Sequence, residues 1–406
     1  MIDDLVGSSL YWLTFMGIFI SGIFLTKSKK LDFTFIFVLV LAQYCAHLLF
    51  IYINNGVYGD ILLFGTVFYI LFMATYALNV NKLTKSFKLT RREFYKIDRL
   101  WVFFCKIYVI AFFGIKIITT PIGIGELDLG ERLGSQNENK VLFFIGLAIF
   151  PMMVGCMYDW VATRFKLSAF DYIVVVTLIL GLAGSASKSA LLPLVLAYFG
   201  VVSAKNIKTN SFWLIYCILF LFIVFSFIVL SYMLPGLDFG DICYLIFYRV
   251  VANTDSIEYL YATRIRPADF TFSGWGALLP FFAKFFGYRF DYPVGVWLHG
   301  IRYGVWDGFG PNSGFVMDYF ANMGVFGVGV AVALGIYMRL MSGVGGAVGL
   351  SFLSISYLTI VDLSMFEMVF GICFVIFLGC LGVRFTKCLI GRWYSVERGV
   401  NDRVVL

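Results

Sequence analysis

The chain of 406 residues carries a net charge of +7, and 61% of its residues are hydrophobic while only 14% are charged. Soluble globular domains carry about 25% charged residues, so this composition excludes a soluble fold and indicates a polytopic membrane protein. No basic patch interleaved with aromatic residues lies outside the loops that flank the apolar segments, which excludes nucleic acid as a partner.

The apolar runs predict an all-α polytopic membrane protein with about eleven transmembrane helices, within a range of ten to twelve. Their lengths are near the roughly 20 residues that a helix needs to cross a hydrocarbon core of about 30 Å. The first run follows two aspartates rather than a basic segment, so it is expected to be a retained helix. The predicted spans are 5–26, 31–53, 61–79, 100–119, 141–161, 169–184, 188–204, 211–232, 313–338, 347–361 and 365–383.

The connection 81–99 sets the predicted orientation of the helices, because its lysines and arginines far outnumber Glu93 and Asp98. Lysine and arginine near helix ends favour the cytoplasmic side, so this connection is predicted inside. The same orientation places the other basic segments inside as well, with the N-terminus outside and the C-terminus in the cytoplasm. Those segments are 27–30, 164–166, 205–208, Arg339 and the tail from Arg384.

One connection is far longer than the others and is predicted to lie outside. Loops beyond about 12–15 residues are usually functional or disordered, and the many aromatic residues of this one favour an ordered loop packed on the helices or in the lipid interface. Within it, 241–261 is predicted as an amphipathic surface helix and 275–288 as a broken or re-entrant helix. The predicted domains are an N-terminal transmembrane bundle at 1–232, the large external loop at 233–312, C-terminal transmembrane helices at 313–384 and a cytoplasmic tail at 385–406.

Several cations are predicted on the external side. Arginine forks bind phosphate oxygens in a bidentate manner, so a cluster of them beside the membrane suits a lipid-linked phosphate or pyrophosphate. For each arginine alone, contact with a lipid headgroup or a neighbouring acid is the competing interpretation. Lys188 lies among small residues at or just below the outer surface, where an ionisable group usually faces a cavity or the bundle interior. The candidates are Lys188, Arg249, Arg264, Arg266 and Arg302, with Arg132 in second place.

Acid–base candidates lie near the end of this loop. His299 could titrate near neutral pH, although a structural role is the alternative. Asp318 is predicted one turn into the ninth span, where a carboxylate needs a partner or an aqueous cavity. Asn312 or Ser313, shortly before it, is expected to cap that helix, and Asn312 is also a candidate for binding the substrate. His47, four residues from Gln43 in the second span, is interpreted as a polar contact between helices.

Neither a metal nor an organic cofactor is predicted. The eight cysteines have no CxxC spacing, and the chain contains no Walker sequence and no extramembrane dinucleotide-binding unit. Energy coupling through ATP within this chain is therefore not expected.

Two segments and their order in the chain carry a resemblance to a known family. They are GSASKSALLPLVLAYF, with Lys188 where an arginine is common, and GPNSGFVMDYFANMGVFG, which leaves the long loop. Together with the topology, they make the chain resemble the Wzy-type polymerases of O-antigen and capsule repeat units. These enzymes belong, with the O-antigen ligases, to the membrane glycosyltransferases of the GT-C type. The related ligases carry a histidine followed by Asn or Ser, with a glycine nine residues later. In the present chain Asn312 stands in place of that histidine, which favours a polymerase over a ligase.

The resemblance implies a metal-independent glycosyltransferase on the external face of the bacterial inner membrane. The enzyme would move a growing glycan from undecaprenyl pyrophosphate to the nonreducing end of an incoming lipid-linked repeat unit. The cations above would bind the pyrophosphate, and Asp318 or His299 would act as the general base for the acceptor hydroxyl. The implied partners are undecaprenyl-pyrophosphate-linked oligosaccharides and membrane lipids, and a chain-length regulator stays open. The alternatives are an O-antigen ligase that transfers glycan to the lipid A core and, behind it, a flippase for the lipid-linked oligosaccharide.

Overall fold

The computed structural model describes only part of the chain, and all of the secondary structure in that part is helical. The described residues are 8–26, 33–56, 59–77, 91–119, 146, 148–183, 192–204, 240–241, 257, 294–304, 327–356, 369–384 and 386. The helices within them are α1 (Ser9–Thr26), α2 (Phe33–Asn55), α3 (Gly59–Ala77), α4 (Arg91–Thr119), α5 (Ile149–Ala162), α6 (Ala169–Ala183), α7 (Leu192–Ala204), α8 (Val294–Tyr303), α9 (Val328–Val344), α10 (Gly346–Ile355) and α11 (Val369–Arg384).

Three stretches of helix are long and apolar enough to cross a membrane, namely Phe37–Asn55, Gly59–Ala77 and Tyr95–Thr119. Shorter apolar helices accompany them among the described residues. For the described residues, a helical fold with helices long and apolar enough to span a membrane is thereby confirmed. The number of about eleven spans stays a prediction, because the eighth predicted span and most of the large loop lie outside the described residues.

The described helices belong to two compact units, and the first contains α1, α2, α3, α8 and most of α9. In this unit α1, α2 and α3 pack on one another. The hydroxyl of Tyr69 on α3 donates to the carbonyl oxygen of Ile18 on α1 at 2.8 Å. The rings of Phe37 and Phe72 meet between α2 and α3 with their centroids 4.6 Å apart. Interlocking aromatic side chains therefore form much of the core of this unit.

Two polar residues lie inside the first unit on one face of α2. Gln43 and His47 are one helical turn apart, and their relative exposures are only 2% and 0%. The structure thus places His47 among packed helices, and its predicted polar contact between helices stays a prediction.

Helix α9 approaches α3 closely at Gly335. A Cβ atom at this position would lie 2.9 Å from the carbonyl oxygen of Phe72 and would overlap the hydroxyl of Thr75. That hydroxyl already donates to the carbonyl oxygen of Leu71 at 2.7 Å. Because the obstruction includes backbone, α9 can approach α3 to this distance only with a glycine.

Replacing Gly335 with alanine is expected to destabilise the protein by about 1–3 kcal/mol, the usual effect of overpacking a close contact. Gly329 on the same helix provides the control, because a Cβ there meets nothing within 4 Å. Gly329→Ala should be neutral or slightly stabilising, since alanine favours helix. Thermal unfolding of the two purified variants in detergent checks this difference, and equal transition temperatures would contradict it.

The second unit contains α4, α5, α6, α11 and nearly all of α10, and α4 packs against both α5 and α6. Trp101 on α4 is fully buried and donates from Nε1 to the Ser351 hydroxyl on α10 at 3.0 Å. One turn earlier, Asp98 Oδ1 accepts from the backbone N–H of Val348 at 2.9 Å. This carboxylate satisfies a donor in the first turn of α10, where negative charge is favourable.

Two helices extend further than predicted. Helix α4 begins at Arg91 rather than near residue 100. Before residue 100 it is amphipathic, since Ile97 and Asp98 are buried while Lys96 and Arg99 are exposed. Helix α9 continues past residue 338 to Val344 and ends where Gly345 adopts a φ of +64°. In both cases the helix continues into a less hydrophobic segment, because polar side chains leave the backbone hydrogen bonds of a helix intact.

Candidate functional site

Helix α8 lies within the segment predicted as the large external loop and carries two of the candidate site residues. Pro293 directly precedes it, and Gly304, with a φ of +70°, directly follows it. The Gly304 N–H donates to the Gly300 carbonyl oxygen at 2.8 Å, which closes the last turn. A proline before a helix and a glycine after it are typical end signals. Gly300, a residue type that favours tight turns, lies inside the helix.

His299, Arg302 and Tyr303 form an aromatic and cationic cluster in the last turns of α8. The ring centroids of His299 and Tyr303 are 4.9 Å apart, with the ring planes inclined at 51°. The guanidinium carbon of Arg302 lies 5.2 Å from the centroid of the same Tyr303 ring. His299 and Arg302 are partly buried, while 53% of Tyr303 is exposed. The structure therefore brings two predicted site residues onto one helix, each in contact with a third side chain.

The remaining candidates are not among the described residues, so their positions stay predictions. They are Arg132, Lys188, Arg249, Arg264, Arg266, Asn312 and Asp318.

A second polar cluster joins α4, α5 and α6. The ammonium group of Lys106 lies 2.6 Å from Asp159 Oδ2 and 2.6 Å from Asp171 Oδ1. The side chains of Lys106 and Asp171 are only 10% and 7% exposed, and that of Asp159 is 32% exposed. We refer to these three residues as the lysine triad. Buried charges of this kind need partners, and each charge in the triad has one.

Asp171 is the most heavily bonded member of the triad. Besides Lys106, it accepts from Trp160 Nε1 at 2.9 Å and from the Ser168 hydroxyl at 2.6 Å. Ser168 Oγ in turn accepts from the Asp171 N–H at 3.3 Å, while the Ser168 N–H donates to Asp171 Oδ2 at 2.9 Å. This reciprocal arrangement is a capping box at the start of α6. One aspartate therefore caps α6 and also fixes it to α4 and α5.

The turn from α5 to α6 is shaped by two residues with unusual backbone angles. Arg164 and Phe165 have φ values of 54° and 59°, in the left-handed region that residues other than glycine rarely adopt. The Phe165 N–H donates to the Trp160 carbonyl oxygen at 2.7 Å, which closes the end of α5. We refer to α5, this turn and α6 as the hairpin. Local hydrogen bonds thus fix its tip next to the two aspartates of the triad.

The triad was not predicted from the sequence, although a signal for it exists. Lys106, Asp159 and Asp171 each interrupt an apolar run, and charges at such positions are rare and usually paired. One cation and two anions on consecutive predicted spans could have suggested a partnership. Lys106 bridges the two carboxylates, and Asp171 also accepts from Trp160 and Ser168, so the evident role of the triad is to hold three helices together.

Among the described residues, no group of three or more His, Cys, Asp or Glu side chains could hold a metal ion. The described cysteines are Cys45, Cys105, Cys156, Cys373 and Cys380, all of them buried and free.

The apolar helices described above define the class of this chain: it is a membrane protein whose described residues form helices. Beyond that class, comparison with protein-family models, with curated proteins and with solved structures finds no match. Any more specific function must therefore be argued from the residues themselves.

Proposed function

We propose that the chain is a polysaccharide polymerase of the inner membrane. It would transfer a growing glycan from undecaprenyl pyrophosphate to the nonreducing end of a lipid-linked repeat unit. The observation that carries the proposal furthest is the cluster on α8, where the Arg302 guanidinium and the His299 imidazole both contact the Tyr303 ring. A guanidinium and an imidazole thus contact the same ring, and transfer from a pyrophosphate needs a cation for the leaving group and a base for the acceptor.

The reaction needs one proton acceptor and one site for the leaving group. The acceptor hydroxyl loses its proton to His299 or Asp318 while its oxygen forms a bond to the anomeric carbon of the donor glycan. The bond from that carbon to the pyrophosphate oxygen breaks, and its electron pair leaves with the pyrophosphate. Arg302 stabilises the negative charge that develops there, because a guanidinium fork matches phosphate oxygens. Further cations at Arg132, Lys188, Arg249, Arg264 and Arg266 complete the proposed pyrophosphate site.

The proposed topology assigns a side of the membrane to the hairpin and to helix α8. With the basic connection before α4 in the cytoplasm, the tip of the hairpin is also cytoplasmic. Helix α8 then belongs to the external loop, on the side where lipid-linked repeat units are polymerised. About eleven spans, an external N-terminus and a cytoplasmic C-terminus complete this arrangement.

Deleting the gene tests the proposed activity most directly. We expect the ladder of long polysaccharides to disappear from gels of the surface polysaccharide, while a single repeat unit stays attached to the lipid core. Complementation with the wild-type chain should restore the ladder. Two other patterns would contradict a polymerase. Long glycans that accumulate on the carrier lipid with nothing attached to the core would indicate a ligase, and repeat units that fail to reach the outer leaflet would indicate a flippase.

A further inference from the structure

Tyr303 has no role in the chemistry above, yet both described site residues contact its ring. It follows His299 by four positions, the spacing at which two side chains meet on a helix surface. It also lies next to Arg302, whose guanidinium carbon is 5.2 Å from its ring centroid. One side chain thus joins the proton acceptor and the cation.

The location of this contact gives it a mechanical consequence. Helix α8 has ten residues, and Tyr303 is the last of them. The last turn of a helix frays readily, and an arginine side chain has many rotamers. A ring against the guanidinium and the imidazole removes some of this freedom. About half of Tyr303 is exposed (53%), so its ring is partly open to solvent while it contacts the imidazole and the guanidinium.

We infer that Tyr303 is a positioning residue of the transfer site, holding the His299 imidazole and the Arg302 guanidinium on one face of α8 at a fixed separation. The inference rests on the proposed function and extends it to a residue that binds neither the pyrophosphate nor the acceptor. Catalysis depends on such a separation, because misplacing a reacting group by about 1 Å can cost about a hundredfold in rate. Interfacial tyrosines also anchor helices in lipid, and the experiment must separate the two roles.

The sequence offers a readout of His299 that does not require activity. The chain has only two histidines, and His47 is fully buried, so diethyl pyrocarbonate should modify the imidazole of His299 in preference to that of His47. Mass spectrometry of the purified protein gives the rate of this modification. We expect Tyr303→Ala to raise the rate several-fold, because the ring that shields one side of the imidazole is gone. Tyr303→Phe should keep the wild-type rate.

The same variants are then compared by polysaccharide ladder and by rate of polymerisation with lipid-linked repeat units. Tyr303→Ala is expected to lose about tenfold to a hundredfold in rate, and Tyr303→Phe should restore it. Tyr303→Leu keeps apolar bulk for a lipid anchor but has no ring, so it should fail like alanine. Ile301→Ala is the matched control, since Ile301 lies on the same helix and is 38% exposed. Size-exclusion chromatography verifies that each variant is folded.

The outcomes separate this inference from the proposed function. An unchanged modification rate in Tyr303→Ala, or full polymerisation by Tyr303→Ala or Tyr303→Leu beside an active wild-type chain, overturns the inference alone. A wild-type chain that fails to restore the ladder overturns the proposed function, and the role of Tyr303 in transfer falls with it.

Discussion

Replacing Lys106 with methionine is expected to lower the free energy of unfolding by about 3–5 kcal/mol, the usual effect of removing one partner from a buried ion pair. The substitution leaves Asp159 and Asp171 next to each other with no cation between them. The carboxylate of Asp171 then stays buried without its cation, because its side chain is only 7% exposed. Titration of the purified protein with sodium dodecyl sulfate, followed by tryptophan fluorescence, measures the loss.

Two further variants make this prediction specific. Lys116→Met removes a lysine from the same helix that has no ion pair among the described residues, so its effect should be small. Adding Asp171→Asn to Lys106→Met should recover part of the lost stability, because fewer unpaired charges then stay buried. If Lys106→Met unfolds at the wild-type detergent concentration, the triad contributes nothing to stability.

Replacing Arg302 with alanine is expected to reduce the rate of polymerisation by about 10²- to 10³-fold, as when one group that stabilises developing charge is removed. Arg302→Lys should be intermediate, because it keeps the charge but loses the planar fork that binds two phosphate oxygens. The rate is measured with lipid-linked repeat units and protein reconstituted in vesicles. The effect should appear in the rate and leave folding unchanged.

Arg339 supplies a closely matched control for this experiment. Its guanidinium carbon lies 5.9 Å from the centroid of the Tyr76 ring, so Arg339→Ala also removes an arginine and its aromatic contact. In the proposed topology this arginine is cytoplasmic, and its loss should change the rate of polymerisation by less than about twofold, as for a residue that makes no contact in the transition state. An equal fall for both variants would show that the Arg302 effect is not specific to the site.

Local signals in the sequence predicted some elements closely. Helix α6 was expected at 169–184 and is found at Ala169–Ala183, because the capping box of Ser168 and Asp171 defines its start. The start of α4 was placed too late, since hydropathy identifies the apolar part of a helix and not the polar turns before it. The class of the protein followed from composition alone, because no soluble fold can bury so much apolar surface.

The polar clusters were harder to predict, for two different reasons. Lys106 and Asp159 are 53 residues apart, and nothing in a single sequence states which helices are neighbours. His299 and Arg302 are close in the chain, but Gly300 between them favoured a turn over a helix. The structure shows that helix packing tolerates this glycine, which is itself buried.

The lysine triad also has a consequence for the order of events during synthesis. Lys106 leaves the ribosome 53 residues before Asp159, which is about 3–10 s at the usual rate of elongation. During that interval α4 carries a cation for which neither aspartate yet exists. Until the hairpin has been synthesised, we therefore expect α4 to stay beside the insertion machinery or to extend the Lys106 side chain to the membrane surface. A ribosome paused between these positions should leave α4 accessible to water-soluble reagents.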